Sequence, residues 1–177
     1  MAATVQLAET NGPSGGSVET IDVANVNMGS DDSVELNPNT YPITAGADKH
    51  GFEKWLRLYV SDLGGSSQID NIKLWLSNLG GGWKTEEGWS TNLRTGGYAA
   101  ASYPAGGPVD TDSSEADQAM PESEPAGANL GIDESLSGAI DEAPYYSDWC
   151  VIQLDVTAST PAGAVNQKTI TFQYDEQ

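Results

Sequence analysis

Four stretches of the chain alternate apolar and polar side chains with a period of two, and this pattern constrains the fold more than any other feature. In residues 52–60, Leu56, Leu58 and Val60 share one face, while Trp55, Arg57 and Tyr59 share the other. In 72–77, Ile72, Leu74 and Leu76 alternate with Lys73 and Trp75. In 149–158, Cys150, Ile152, Leu154, Val156 and Ala158 oppose Gln153, Asp155 and Thr157; in 168–174, Ile170, Phe172 and Tyr174 oppose Thr169, Thr171 and Gln173. Successive strand residues point to opposite faces, so each segment can set one face against a core. β-Branched and aromatic residues fill all four and suit a pleated surface. Weaker signals at 4–8, 18–23, 33–36 and 41–44 bring the expectation to about eight short strands. A helical turn at 134–140 is the one helical candidate, and Gly138 weakens it. The pattern predicts an all-β, antiparallel β-sandwich or jelly-roll.

The connections support the same class. Gly64-Gly65-Ser66-Ser67 separates the first two strong strands, and Thr160-Pro161-Ala162-Gly163 the last two. Both are compact turn chemistries, expected to join antiparallel neighbours. The chain then divides into an extended N-terminal arm, 1–16, and a single domain, 17–177, carrying a long acidic Gly/Pro-rich loop insert at about 80–142. By composition 108–127 reads as disordered, and long structureless stretches inside compact domains are usually functional or held from outside. The candidate partner interface is therefore Val5 and Leu7 of the arm with Trp83, Trp89, Tyr98 and Tyr103 of the insert. On this reading, removing 108–127 leaves the β core folded, since the strong strands lie outside it.

Charge narrows the partners. The 26 Asp and Glu against 7 Lys and Arg give a net charge of −19, which repels phosphate backbones and anionic membranes. Residues 1–48 hold seven acids and no Lys or Arg, and six of the seven basic residues fall between Lys49 and Arg94. Negative charge is thus carried by the arm and the insert, with Lys54, Arg57 and Lys73 as local countercharges on the sheet. A salt-loving source would also account for the acid excess, as an environment rather than a function. The start, Met1-Ala-Ala-Thr-Val-Gln-Leu, lacks the basic and apolar regions of a signal peptide, and no run nears the ~18 apolar residues of a membrane span, so synthesis in a cytoplasm is expected. Cys150 is the only cysteine, which excludes an internal disulfide and reads as plain core.

Catalytic signatures are missing from the sequence. His50 is the sole histidine, with no Gly-x-Ser-x-Gly elbow to serve, and reads as a solvated loop residue. Glycoside hydrolysis would need two opposed carboxylates, and Glu86-Glu87 between Trp83 and Trp89 is the nearest arrangement. Asp110 and Asp112 resemble the opening of a calcium loop, but Glu115 stands where the turn glycine belongs. They form a weak calcium candidate only, and neither a metal nor another cofactor is expected. Trp55, Tyr59 and Trp75 suggest a flat aromatic face that could stack sugar rings. A carbohydrate-binding or host-attachment module is therefore the alternative to a protein-binding one.

The polar N-terminal arm, the strand Glu53-Lys54-Trp55-Leu56-Arg57-Leu58-Tyr59-Val60 and the closing strands 151–156 and 167–174 resemble small β-sandwich virion proteins of tailed bacteriophages, in particular the capsid decoration (cement) class. The resemblance is one of style and covers the strands, roughly half the chain. It implies a non-enzymatic protein of the virion surface that binds and stabilises a shell. Its partner would be the major capsid protein or another virion protein, reached by arms that order on docking, and its oligomer a trimer at a local symmetry axis. A neck or tail component is a further alternative of the same kind.

Overall fold

The computed structural model describes residues 1–13, 16, 18–44, 46, 49–78, 87–160 and 167–177. Its strands are β1 (Thr4–Asn11), β2 (Val18–Ile21), β3 (Lys49–His50), β4 (Lys54–Asp62), β5 (Ile69–Asn78), β6 (Glu87–Thr91), β7 (Gln118–Ala119), β8 (Tyr145–Tyr146), β9 (Cys150–Val156) and β10 (Lys168–Glu176). The strand pairings are antiparallel, so the expected all-β antiparallel class is the observed one. The strands divide unequally. Eight form one sheet, ordered β2-β1-β4-β9-β6-β7 with β3 on β9 and β8 on β4, while β5 and β10 form a two-stranded ribbon.

Period-two alternation explains how the ribbon meets the sheet. Leu56, Leu58 and Val60 of β4 and Cys150 and Ile152 of β9 share one buried cluster with Ile72, Leu74 and Leu76 of β5; Ile170, Phe172 and Tyr174 of β10 pack onto it. The other face of β4 and β9 is also covered, because Trp55 and Val151 join Ala101 and Ala116 in a second cluster. Burial pushes the Cys150 thiol up to about 12, against a smaller lowering from its hydrogen bond with Thr91. Such a thiol is protonated and inert at neutral pH.

Several expectations are corrected here. Both compact turns were expected to join hydrogen-bonded neighbours, yet β4–β5 and β9–β10 cross from the sheet to the ribbon. Turn residues mark where a chain reverses; they do not say which strand it then meets. The arm assigned to 1–16 is built in, since β1 lies between β2 and β4 in the sheet. No strand forms at 33–36 or 41–44. Glu35 takes a left-handed φ of 48°, and the amides of Thr40 and Tyr41 both donate to Asn37 O, closing a turn instead. The helical turn at 134–140 is absent because Asp133 and Glu134 are also left-handed, at φ 50° and 65°, closing an Ile132–Ser135 bridge.

The insert is a structural component of this fold. Met120, Leu130, Ile132 and Ile140 are buried in the main cluster. Its backbone and side chains complete one edge of β5: Leu76 N donates to Pro121 O at 2.8 Å, and the Ile69 and Ile140 amides exchange bonds at 2.9 and 2.8 Å. Between them Asn129, 1% exposed, accepts from Leu74 N and donates to Leu74 O, both at 2.8 Å. Small and apolar residues turn inward, whereas Asp110, Asp112, Asp117, Glu122 and Glu124 remain exposed. The expectation that the core stands without 108–127 is therefore replaced: Ala116, β7 and Met120 belong to it.

Candidate functional site

Most described basic side chains are paired with a carboxylate of the same fold. Lys54 meets Glu9, Lys73 meets Glu124 and Lys168 meets Glu87 at 2.9–3.0 Å, while Arg57 meets Glu19 and Arg94 meets Asp117. Lys54, Arg57 and Lys73 are thus countercharges on the strands, as expected. Lys49 is exposed, and the other charged residues most open to water are acids: Asp22, Glu35, Asp62, Asp110, Asp112, Asp133, Glu134, Asp141, Glu142, Asp175 and Glu176. A surface of this kind carries a negative potential that draws in basic partners and loses strength as salt rises.

A cleft of about 690 Å³ lies between β6 and the insert, and Glu87, Ser90, Asp112, Asp117, Glu122 and Asp155 are among the residues that line it. Three strands brace its floor. Asp155 of β9 pairs through Oδ1 with His50 Nδ1 of β3 at 2.7 Å, and its Oδ2 accepts from Ser90 Oγ of β6 at 2.5 Å. The expected solvated His50 is in fact part-buried and strand-bound. The order is serine, aspartate, histidine, so the imidazole does not touch the serine hydroxyl and cannot take its proton, as a hydrolytic triad requires. The arrangement fixes the cleft wall; Glu87, Asp117 and Asp155 are paired within the fold, while Asp112 and Glu122 are exposed there. Of the proposed carboxylate pair, Glu87 lies on Lys168 and receives Trp89 Nε1, while Glu86 falls outside the described residues.

The aromatic face expected for sugar stacking is not assembled. Trp55 is 0% exposed, packed edge-on against Tyr103 and Trp149 with centroids 5.1 and 6.0 Å apart. Tyr59 lies 4.8 Å from Tyr146, whose ring carries the Arg57 guanidinium at 3.6 Å. Trp75 sits on the separate ribbon, opposite Thr171. The Trp55 ring is covered by the protein itself, because Ala101, Tyr103, Ala116 and Trp149 pack against it.

The candidate partner contacts are likewise dispersed. Val5, Leu7 and Trp89 pack against the main cluster. Tyr98 donates to Asp148 at 2.9 Å and accepts from Gly131 N at 3.0 Å; burial, with Asp148 adding to it, raises its hydroxyl far above the usual tyrosine range despite the opposing Gly131 bond. Tyr103 donates to Gly12 O at 2.8 Å, and burial pushes it up to about 12. Trp83 falls outside the described residues. Asp110 and Asp112 are both exposed, and no group of three or more His, Cys, Asp or Glu able to hold a metal ion occurs among the described residues. No helix there is long and apolar enough to cross a membrane.

Sequence reasoning missed the buried polar anchors. Asn92 receives Val151 N and donates to Trp149 O; Gln153 receives Ser113 N and donates to Gly51 O and Thr111 O. Glu53, 2% exposed, accepts from Trp55 Nε1 and Ser113 Oγ. Their one visible signal was an amide beside a leucine in a small-residue stretch, as in Asn92-Leu93 and Asn129-Leu130. Comparison with protein-family models, curated proteins and solved structures gave no match.

Proposed function

We propose that this protein is a non-enzymatic binding module of the virion surface, a decoration protein that docks on the outside of a viral shell through its acidic face. The observation that carries the reading is the segregation of charge. Five Lys and Arg side chains are paired with carboxylates within the fold, two of them with Glu87 and Asp117 of the cleft, while Asp112 and Glu122 at the cleft and many acids elsewhere on the surface stay exposed to water. That leaves a largely unneutralised negative surface, complementary to Lys- and Arg-bearing loops of a shell protein. The open edge strand β2, with Val18 56% and Ile21 38% exposed, is a second place where another chain can add by backbone pairing.

The virion assignment rests on the resemblance in strand style, and the mode of binding on the charge arrangement. Co-sedimentation of the purified protein with viral shells tests both. Binding is expected in dilute buffer and is expected to weaken steeply by about 0.5 M salt, where the screening length falls to a few ångströms. Retention that is indifferent to salt, or no retention on any shell, would overturn the reading.

A further inference from the structure

Where β1 ends and β4 begins, one step beyond the Thr10–Trp55 pair, the register sets Asn11 across from Lys54. Directly opposed residues project to the same face, and so does Glu9, two positions earlier. All three have left water: Glu9 and Lys54 are 0% exposed and Asn11 6%. A single oxygen, Glu9 Oε1, accepts from Lys54 Nζ at 3.0 Å and from Asn11 Nδ2 at 2.8 Å. Asp32 Oδ1 holds the same Nδ2 at 2.9 Å, and Ser33 O holds Nζ at 2.9 Å. The second oxygens of this carboxyl and this carboxamide, Glu9 Oε2 and Asn11 Oδ1, are buried and have no hydrogen-bond partner.

A settled ion pair does not account for that pattern. Each unpaired buried acceptor is costly, and the two belong to groups already joined on their other side. One proton on Glu9 Oε2, donated to Asn11 Oδ1, would satisfy both. The available proton is that of Lys54. Its transfer turns two buried ions into a neutral acid and a neutral amine, the forms that a water-free site favours. The amine is a nucleophile, and the carboxamide beside it is then polarised by the acid.

We propose that Lys54 and Asn11 form an intramolecular isopeptide bond, with Glu9 as the proton carrier. Glu9 takes one proton from the Lys54 ammonium, and the free Nζ attacks Asn11 Cγ while Oδ1 draws its charge onto the Glu9 acid. A second Nζ proton passes to Nδ2, the Cγ–Nδ2 bond breaks, and ammonia leaves. Of the three ammonium protons, one ends on Glu9, one on the ammonia and one on the new amide nitrogen. No oxidant or cofactor is consumed. Asp32 and Ser33 O act as positioning groups, holding the leaving nitrogen and the attacking one against the same carboxylate. The product is a covalent rung between two adjacent strands near the centre of the larger sheet.

Intact-mass measurement of the denatured full chain decides this. One lost ammonia leaves the protein about 17 Da below the mass of its sequence, and proteolysis then yields a branched peptide joining the Asn11 and Lys54 segments. Glu9→Gln, which keeps the side-chain shape but cannot carry the proton, and Lys54→Arg are both expected at full sequence mass. A wild-type chain at full sequence mass overturns the proposal, and so does a deficit that persists in Lys54→Arg. The wild-type mass and peptide map are decisive even where a variant does not fold.

Discussion

Asn129 offers the sharpest test of how the acidic insert holds the ribbon. Its side chain imitates a neighbouring strand, accepting from Leu74 N and donating to Leu74 O, each at 2.8 Å, at a position 1% exposed. Asn129→Ala removes both partners at once and leaves a buried amide and a buried carbonyl unsatisfied on β5. Each of the two orphaned groups costs about 1–3 kcal/mol, so the variant is expected to lose roughly 2–6 kcal/mol. For a chain of this size, at about 2–4 °C per kcal/mol, that corresponds to a fall in Tm of about 4–24 °C. Urea denaturation followed by tryptophan fluorescence gives the free energy directly, with an unchanged m-value showing that the same surface unfolds. A loss below about 1 kcal/mol would refute the reasoning, because it would mean that water reaches Leu74 and the insert does not seal the edge of β5.

Two further outcomes follow from the packing and the titrating groups. Trp55→Ala, which empties a fully buried site between Tyr103 and Trp149 and strips Glu53 of a donor, is expected to cost about 3–5 kcal/mol; a cost under about 1 kcal/mol would return Trp55 to a solvent face. Burial raises Cys150 from 9.0, and Tyr103 and Tyr146 from 10.0, to about 12. The unfolded chain therefore releases these protons at lower pH than the folded one, so stability is intact below about pH 9 and declines between pH 9 and 12. Melting curves from pH 7 to 11 check this, and a Tm that stays level above pH 9 contradicts it.

The strands were legible because their periodicity is local. Leu56, Leu58 and Val60 alternate as written, and so do Ile72, Leu74 and Leu76, and each set lies in the core. Pairing was not legible, since the same Gly-Gly turn serves a hairpin or a crossing between layers, and β5 meets a β10 almost a hundred residues distant. The insert misled through its average. Its acids dominate the composition, while Ser113, Ala116, Met120 and Asn129 do the packing and carry no periodic signal. The candidate site suffered the same way. Trp55, Tyr59 and Trp75 looked co-facial because alternation reports parity within a strand, not the sheet to which the strand belongs. The Lys54–Glu9–Asn11 group needed the β1–β4 register before it could be seen at all.

The most direct test of the proposed role is to purify virus particles from the protein's source by density gradient and probe them for this chain. Antibody labelling or cryo-electron microscopy is expected to find it in the particle band, at regular positions on the outer shell, and released as salt is raised. Its absence from particles, with all of the protein in the soluble fraction, would contradict the virion reading.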